Sequence, residues 1–310
     1  MNMKILVTGG AGFIGSNLCR RLLKDGHDVS IVDNFSTGRR ENIDDIKNDM
    51  TIYEGDMNDT GLIQQAFQGT RYIFHEAAVP SVARSVENPM ISNYNNIDGT
   101  LNVLWNARKA DVQRVIFASS SSIYGDTPVL PKQETMTANP QSPYALSKYA
   151  GEVYCRIFSG IYGLETVCLR YFNVFGPYQN PFSDYAAVIP KFLYSMRRGD
   201  SPVIFGDGTQ TRDFCYIDNV VEANVLALSC KQADGHGMNI GCGERISLLE
   251  LVEELNFLLG TSLKPQFMKP RSGDVRDSLA SIETARKILG YEPLVKVRDG
   301  LKKLLDWSNS

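Results

Sequence analysis

The chain has 310 residues, of which 43% are hydrophobic and 22% charged, so it can bury a sizeable core and is not a disordered chain. Its 32 Lys and Arg residues against 35 Asp and Glu give a net charge of −3, the wrong balance for a protein that grips the phosphate backbone of nucleic acid. No apolar stretch approaches the ~20 residues that cross a bilayer, and the first strand runs into a Thr-Gly-Gly turn before a signal-peptide core could form. We therefore expect a cytoplasmic protein with no nucleic-acid or membrane partner.

The cysteines and histidines indicate no metal centre. The six cysteines form no CxxC pair, and the three histidines lie near none of the neighbours that a zinc site needs. We expect reduced cysteines and no bound metal.

The first half of the chain alternates short β-branched runs with longer helical patterns, which is typical of a parallel sheet with crossover helices. Strands are predicted over residues 4–8, 29–33, 51–54, 71–75, 114–118 and 165–170. Helices are predicted around residues 14–25, 60–67, 89–110 and 142–162. The pattern predicts an α/β fold with a Rossmann-like, doubly wound parallel sheet.

After residue 170 clusters of Gly and Pro interrupt this alternation. Further helices are predicted near residues 187–198, 219–230 and 247–259. We therefore predict one domain over residues 1–172 and a smaller α/β C-terminal domain over residues 173–310. The boundary is approximate, and segments of the two domains can interleave.

Three glycines, Gly9, Gly12 and Gly15, follow the first strand where a helix is predicted to begin, with Phe13 and Ile14 between the last two. Glycine suits a tight turn, a close approach of backbone to a pyrophosphate, and packing of helix on sheet, and a helix N-terminus offers free N–H groups to an anion. This GxxGxxG spacing predicts a dinucleotide site. A plain tight turn would need the same residues.

Asp33 ends the second strand, 18 residues after Gly15. A carboxylate there can accept hydrogen bonds from the adenosine ribose and repel a 2′-phosphate, which favours NAD over NADP. Turn-forming residues follow it, so an Asx turn is the alternative. They include Asn34, Ser36, Thr37 and Gly38. Arg39 and Arg40 come next and could instead hold a 2′-phosphate.

Tyr144 and Lys148 lie four residues apart, and Pro143 suits the first turn of a helix, so the two side chains share one helix face. An ammonium a few ångströms away could lower the pKa of a tyrosine from ~10 to about 8 and make it a general base. A helix can also carry a Tyr and a Lys by chance. A run of serines at residues 119–122 ends the fifth strand, at the sheet edge where such folds bind ligands. We therefore predict one site of Ser, Tyr and Lys.

Together these motifs resemble the extended short-chain dehydrogenase/reductases and, within them, the nucleotide-sugar 4-epimerases. The resemblance spans nearly the whole chain. The motifs that carry it are residues 8–15, 55–57, 75–79, 96–99, 119–125, Tyr144 with Lys148, and residues 170–177.

The resemblance implies bound NAD and assigns it further contacts. Asp56 and Met57 would face the adenine, Ala77, Ala78 and Val79 would line the dinucleotide, Asn96 would support the active-site helix, and Tyr171, Tyr144 and Lys148 would also contact the cofactor. Asp56 could instead cap a helix, Asn96 could be a buried amide, and the alanines could simply pack.

The resemblance also implies a redox cycle with no net oxidation. Tyr144 would take the proton of the sugar 4-hydroxyl, Lys148 would hold the nicotinamide ribose, and Ser120 would bond the 4-oxygen. Related 4,6-dehydratases and uronate decarboxylases carry acidic residues where this chain has Ser121 and Ser122, which favours an epimerase. An NAD-sensing binding module is the non-enzyme alternative, although such proteins typically lose the Tyr and Lys.

The implied substrate is a UDP-sugar, held in the C-terminal domain. Its contacts would include Ser120, Ser121, Ser122, Tyr144, Asn173, Ala187 and Val188, with Phe205 on the uracil, Arg212 and Arg271 on the diphosphate, Asp274 on the ribose, and Ser278 at the sugar. Surface ion pairs are the alternative for the arginines. A small residue at position 278 is typical of members that accept an N-acetyl group, so UDP-GlcNAc and UDP-GalNAc are favoured, with UDP-Glc and UDP-Gal also possible. The family further implies a homodimer formed through residues 89–110 and 142–162.

Overall fold

The structure is a computed structural model that describes residues 2–182, 187–270 and 275–309. The strands are β1 (Lys4–Thr8), β2 (Asp28–Asp33), β3 (Thr51–Glu54), β4 (Tyr72–His75), β5 (Arg114–Ser120), β6 (Glu165–Tyr171), β7 (Val174–Phe175), β8 (Val203–Phe205), β9 (Thr211–Arg212), β10 (Cys215–Tyr216), β11 (Gly237–Ile240), β12 (Ile246–Ser247) and β13 (Gln266–Met268). The helices are α1 (Phe13–Lys24), α2 (Thr60–Ala66), α3 (Val82–Glu87), α4 (Pro89–Ser92), α5 (Gly99–Lys109), α6 (Pro143–Tyr162), α7 (Val188–Arg197), α8 (Ile217–Ser229), α9 (Leu248–Leu259), α10 (Glu283–Leu289) and α11 (Val297–Asn309).

A seven-stranded sheet organises the molecule, with strand order β11-β6-β5-β4-β1-β2-β3 and every neighbouring pair parallel. The six strands predicted from the sequence all lie in it, and the doubly wound fold is confirmed. The winding direction reverses between β1 and β4, so the loops after these strands diverge and open a crevice at the carboxyl edge.

The seventh strand, β11, is absent from the prediction. It comes from the C-terminal part of the chain and pairs with β6 at the sheet edge. Its four residues, Gly-Met-Asn-Ile, show no alternation, and their pairing depends on a partner about 70 positions earlier. Helix α8 likewise packs on β5, β6 and α1. Residues beyond 172 therefore complete the large sheet.

The core lies on both faces of the sheet, because successive strand residues point to opposite sides. On one face Ile5 and Val7 of β1 pack with Leu18 of α1. On the other face Leu6 packs with Phe67 and with α5 residues such as Leu104. All are fully buried. The helices on the two faces thus fix the directions in which the strand ends reach the crevice.

The predicted helix over residues 89–110 is not continuous. It divides into α4, a π-helical stretch over Asn93–Asp98, and α5. A π-helical turn widens the backbone spiral and re-aims the side chains it carries. The consequence for Asn96 is described below.

The remaining strands form three two-stranded sheets: β7 with β10, β9 with β12, and β8 with β13. Residues 276–281 run beside β9, since the amide N–H of Ser278 donates to the carbonyl of Thr211 at 3.1 Å. This places Ser278 and Arg212 at the mouth of the crevice.

Within the described ranges, none of the helices is both long and apolar enough to span a bilayer.

Candidate active site

A cavity of about 990 Å³ occupies the crevice at the carboxyl edge of the large sheet. It brings together most of the predicted site residues: Gly9, Gly12, Phe13, Ile14, Gly15, Asp33, Asn34, Ser36, Thr37, Gly38, Met57, Ala77, Ala78, Val79, Ser120, Ser121, Ser122, Tyr144, Tyr171, Asn173, Ala187, Arg212 and Ser278. Asp56, Asn96, Lys148, Val188 and Phe205 are not among its lining residues. Arg271 and Asp274 lie outside the described residues. One continuous cavity therefore joins the glycine loop to the serine run.

The glycine loop is packed too tightly for side chains. A Cβ at Gly15 would lie 2.2 Å from the carbonyl oxygen of Gly9, and one at Gly9 would lie 2.8 Å from the Cα of Ala77. Gly12 is the N-cap of α1 and has no side chain to satisfy the first turn, so the N–H groups of that turn stay available to an anion. This cradle fits the pyrophosphate of a dinucleotide.

Asp33 is buried at the end of β2 and shapes the loop that follows. Its Oδ2 accepts the N–H of Ala11 at 2.9 Å, and its Oδ1 accepts the N–H of Phe35 at 2.8 Å. The Asx turn and the ligand role therefore coexist, because each carboxylate oxygen has a second lone pair for a ribose hydroxyl. Burial raises the pKa of Asp33, and the two N–H bonds oppose that rise.

The two arginines after this loop already have carboxylate partners. Arg40 contacts Glu54 at 2.5 Å and stacks over the ring of Phe35, and Arg39 contacts Glu41 at 3.2 Å. A 2′-phosphate would have to compete with these carboxylates. The arrangement is consistent with the choice of NAD over NADP that Asp33 indicates.

Helix α6 begins as the sequence predicts. Ser142 caps it by accepting the N–H of Ala145 at 3.1 Å, and Pro143 occupies the first turn. Tyr144 therefore lies at the helix start and lines the cavity together with Ser120 of β5, whose side chain lowers the pKa of the phenol. The predicted Ser and Tyr are thus brought into one site.

Lys148 lies one turn further along α6 and is buried. Its ammonium donates to the carbonyl of Ala118 at 2.7 Å and lies 5.0 Å from the ring of Phe117. This contact ties α6 to the end of β5, next to Ser120. Burial lowers the pKa of Lys148 to about 8.

The predicted electrostatic effect on Tyr144 is not found. Burial raises the pKa of its phenol, the hydrogen bond from Ser120 opposes the rise, and the negative charge of Glu76 adds to it. Lys148 does not lower this pKa, because burial lowers its own pKa to about 8, so it has largely lost its proton before the phenol ionises. The protein alone therefore keeps Tyr144 protonated near neutral pH.

Glu152, one turn beyond Lys148, anchors the same helix to the sheet. It accepts two hydrogen bonds from Arg170 of β6, at 2.9 and 2.8 Å, and one from the hydroxyl of Ser119 at 2.5 Å. Sequence reasoning assigned these residues no role. The buried, fully paired network holds α6 against β5 and β6 and thereby positions the catalytic face.

Asn96 supports the active-site helix from the π-helical stretch. Its side-chain amide donates to the hydroxyl of Ser147 at 3.0 Å and accepts the N–H of Val79 at 2.8 Å. It thus joins the loop after β4 to α6.

The capping alternative for Asp56 does not apply to α2, because Asp59 is the residue that caps it. Asp56 instead accepts the N–H of Asn58 at 2.8 Å.

Glu76 is a site residue to which sequence reasoning gave no role. It follows β4, lines the cavity, and accepts a hydrogen bond from the hydroxyl of Tyr171 at 2.8 Å. Burial raises its pKa to about 7. The sequence feature that could have identified Glu76 as a site residue is a charged side chain immediately after an apolar strand.

The cavity wall predicted to face the sugar comprises Ser122, Asn173, Arg212 and Ser278. Asn173, at a positive φ of 29°, donates to the carbonyl of Asp213 and to the hydroxyl of Ser278, both at 2.9 Å. The hydroxyl of Ser122 is buried and has no hydrogen-bond partner within the described part of the chain. A buried hydroxyl without a partner is uncommon in folded proteins.

The predicted uridine-side residues lie further out. Ala187 is the N-cap residue of α7, Val188 begins that helix, and Phe205 ends β8. Arg212 donates to the carbonyls of Thr211 and Arg276, at 2.9 and 2.7 Å, while lining the cavity.

The fold and this site define a dinucleotide-dependent enzyme with a Ser-Tyr-Lys centre. A family model described as the NAD dependent epimerase/dehydratase family matches residues 5–241. The UDP-glucose 4-epimerase of Mycolicibacterium smegmatis is 39% identical, and the match covers 98% of this chain and 98% of that one. The chain therefore belongs to the NAD-dependent epimerase/dehydratase family.

Two solved structures share the whole fold. The UDP-glucose 4-epimerase of Thermotoga maritima with UDP-glucose gives a TM-score of 0.95 at 39% identity, covering 99% of both chains. The UDP-N-acetylglucosamine 4-epimerase of Methanobrevibacter ruminantium with UDP-N-acetylmuramic acid gives 0.95 at 37% identity, covering 99% of this chain and 98% of that one. These findings confirm the predicted family, the NAD cofactor and an enzyme of the epimerase class.

Proposed function

We propose that the protein interconverts the C4 epimers of a UDP-sugar, with UDP-GlcNAc and UDP-GalNAc favoured and UDP-Glc and UDP-Gal also accepted. The observation that carries the proposal is that Ser120 and Tyr144 line the same cavity as the glycine cradle, while Lys148, buried one turn along α6, ties that helix to β5 beside Ser120. NAD would lie along Gly9–Gly15 and Asp33, and when bound it supplies a centre that accepts and returns hydrogen at the sugar C4.

Tyr144 is the residue proposed to move the proton. Its phenol would take the proton of the sugar 4-hydroxyl and return it after the 4-ketose has presented its other face. Because burial raises the pKa of Tyr144, the phenol would need a nearby positive charge to act as a base near neutral pH, and an oxidised dinucleotide would supply one.

Ser120 and Ser122 are proposed to hold the sugar. The Ser120 side chain acts on the phenol of Tyr144, so a 4-oxygen beside both would complete a short proton path. The Ser122 hydroxyl has no partner among the described residues and, once turned toward the cavity, would bond a second sugar oxygen. Neither Ser121 nor Ser122 can supply the acid that elimination or decarboxylation would need, so epimerisation is favoured over the 4,6-dehydratase and decarboxylase alternatives.

The N-acetyl preference rests on volume at Ser278. This small side chain is 8% exposed, lines the cavity and accepts a hydrogen bond from Asn173. A tyrosine there would fill space that an acetamido group needs. The structural likeness to a protein named as a UDP-N-acetylglucosamine 4-epimerase supports the same choice.

Proton NMR of the purified protein with NAD, mixed separately with UDP-GlcNAc and UDP-Glc, tests the reaction. We expect a C4 epimer of unchanged mass from both, formed faster from UDP-GlcNAc. A product of altered mass would establish a dehydratase or decarboxylase instead. No product from either sugar despite bound NAD would favour another nucleotide sugar or a sensor.

Ser278→Tyr tests the volume argument. We expect the rate on UDP-GlcNAc relative to UDP-Glc to fall by roughly 10- to 100-fold. Ser278→Ala is the matched control, because it removes the same hydroxyl without filling the space and should keep the preference. An unchanged ratio in Ser278→Tyr would contradict the proposal.

We also propose a homodimer formed through α4, α5 and α6. Apolar side chains are exposed on these helices, including Met90 and Ile161, each 72% exposed, and Leu146 at 52%. Sedimentation should show a dimer that Ile161→Glu weakens, whereas Leu294→Glu, at an exposed apolar position in the connection between α10 and α11, should leave it intact. A monomer at micromolar concentration would overturn this.

A further inference from the structure

Glu76 is a carboxyl in the active site that the proposed proton path does not use. Its Oε1 accepts the hydroxyl of Tyr171, and that hydroxyl in turn accepts a hydrogen bond from the side-chain amide of Asn224 of α8 at 2.8 Å. Among the described residues Oε2 accepts no hydrogen bond, and it is not enclosed by protein, so it remains open to the cavity. One oxygen is thus anchored and the other is directed at ligand space.

The charged and titratable groups around Glu76 leave one cation beside it. The charge of Glu76 raises the pKa of Lys148 of α6, and the charge of Lys148 lowers the pKa of Glu76, as expected of an attractive pair. The others are neutral near pH 7: burial lowers the pKa of His75 to about 3 and raises the pKa of Cys19 to about 12, and burial also raises the pKa of both Tyr144 and Tyr171. The centre therefore contains one ammonium and one carboxyl.

We propose that Glu76 is a counter-ion for the bound dinucleotide, whose carboxylate favours the oxidised, positively charged nicotinamide over the reduced, neutral one. The proposal rests on NAD as cofactor and on a nicotinamide held beside Tyr144 and Lys148. In a poorly solvated cavity a nearby carboxylate stabilises a cation much more than it would in water.

The reaction type of the family explains why a carboxylate at this position would be useful. A reaction without net oxidation needs a cofactor that takes hydrogen from the sugar and gives it back, so neither redox form can be held much more tightly than the other. Lys148 alone would disfavour the cationic form. Glu76 offsets that charge and restores the balance.

The competing explanation is positional: Glu76 would only orient Tyr171. Two substitutions separate charge from position. Glu76→Gln keeps a carbonyl oxygen that can accept the Tyr171 hydroxyl and removes the charge. Glu76→Asp keeps the charge and withdraws the oxygen from Tyr171.

Competition between NAD⁺ and NADH on the full-length protein, with no sugar nucleotide present, tests the charge. Each variant is equilibrated with a known mixture, separated from free cofactor, and the bound NAD⁺:NADH ratio is measured by chromatography. Near pH 8 we expect Glu76→Gln to lower this ratio by about fivefold or more, and Glu76→Asp to stay within about twofold of the wild type. Because no sugar takes part, the result does not depend on the proposed epimerase activity.

A wild-type ratio in Glu76→Gln would overturn the proposal, and so would a shift in Glu76→Asp as large as that in Glu76→Gln. The wild type provides a second test if Glu76→Gln does not fold. Its bound ratio should rise from about pH 6 to about pH 7 as Glu76 ionises, while Lys148, with a pKa of about 8, stays largely protonated. A ratio independent of pH over that interval would also overturn it.

Discussion

The two ends of the cavity are built differently. At the cofactor end, Gly9 and Gly15 are in backbone contact and both oxygens of Asp33 already accept N–H groups. At the sugar end, Ser122 retains a hydroxyl with no partner among the described residues. The glycine cradle is thus fixed by the fold itself, whereas the opposite wall contains a hydroxyl that the fold leaves unpaired. Changes at the first end should impair binding and stability, and changes at the second should impair rate and selectivity.

The largest effect is expected from Tyr144→Phe, which removes the proton acceptor at the border between the two ends. Turnover should fall on the order of 10³-fold or more, because proton transfer would lose its positioned base. The measurement is the epimer formation rate by NMR at saturating UDP-sugar.

Cofactor retention is the control for Tyr144→Phe. The glycine cradle does not contact the lost hydroxyl, so bound NAD per chain should match the wild type. A variant that kept its turnover would contradict the assignment of Tyr144, and one that also lost NAD would mean that the two ends are not independent.

A second prediction concerns Gly15→Ala. The added Cβ would lie 2.2 Å from the Gly9 carbonyl oxygen, so backbone has to shift in the part of the loop that would face the pyrophosphate. We expect a loss of ~1–3 kcal/mol in the free energy of unfolding and roughly 100-fold weaker NAD binding. Denaturant unfolding and calorimetric titration measure the two.

Gly160→Ala is the matched control for that loop. Gly160 lies in α6, and a Cβ there would meet nothing within 4 Å. Because alanine favours a helix, this variant should be more stable by ~0.5–1 kcal/mol with NAD binding unchanged. Equal effects of the two substitutions would show that the tight packing of the cradle is irrelevant.

Ser122→Ala should act on rate rather than on stability. The hydroxyl has no protein partner within the described ranges, so its removal costs no bond in the free enzyme. We expect kcat/KM to fall roughly 10-fold, since a ligand oxygen would lose its partner, with the melting temperature unchanged or higher. A destabilised variant with normal kcat/KM would assign the hydroxyl to the fold instead.

The sequence predicted the cofactor end better than the sugar end, for a physical reason. Glycine spacing, the apolar strands β1 to β6 and the Ser142-Pro143 helix start are local signals. The strand β11 and the π-helical turn at Asn96 depend on contacts with distant residues. A single sequence cannot show such contacts, and hence the sheet edge and the π-helical turn were missed, although the support of α6 by Asn96 was predicted from the family resemblance.

The electrostatics of the centre were predicted least well. Four-residue spacing correctly placed Tyr144 and Lys148 on one helix, but it could not show that the ammonium is directed at Ala118. Nor could it show that Glu76 would meet Tyr171 across the sheet. Charge interactions depend on distance and burial, and both are properties of the folded chain.

The smallest expected effect concerns stability against pH in the cofactor-free protein. Burial raises the pKa of Glu76 from 4.5 to about 7. A raised carboxyl pKa gives stability that is fully present below the unfolded pKa and is lost as pH rises through the folded one. The wild type should therefore lose stability from about pH 4.5 to about pH 7 through this group, and Glu76→Gln should not.

The full shift corresponds to about 3 kcal/mol, and because Glu76 is only partly buried we expect solvent to screen much of it. The difference in free energy of unfolding between Glu76→Gln and the wild type should therefore grow across that interval by on the order of 1 kcal/mol, in favour of the variant, and then level off. Lys148, with a pKa of about 8, stays largely protonated over it. Urea unfolding at a series of pH values measures the difference. A constant difference would mean that Glu76 is not destabilised by burial, and then the cavity is better solvated than its walls indicate. A growing difference that saturating NAD abolishes would show that the cofactor compensates the same carboxylate.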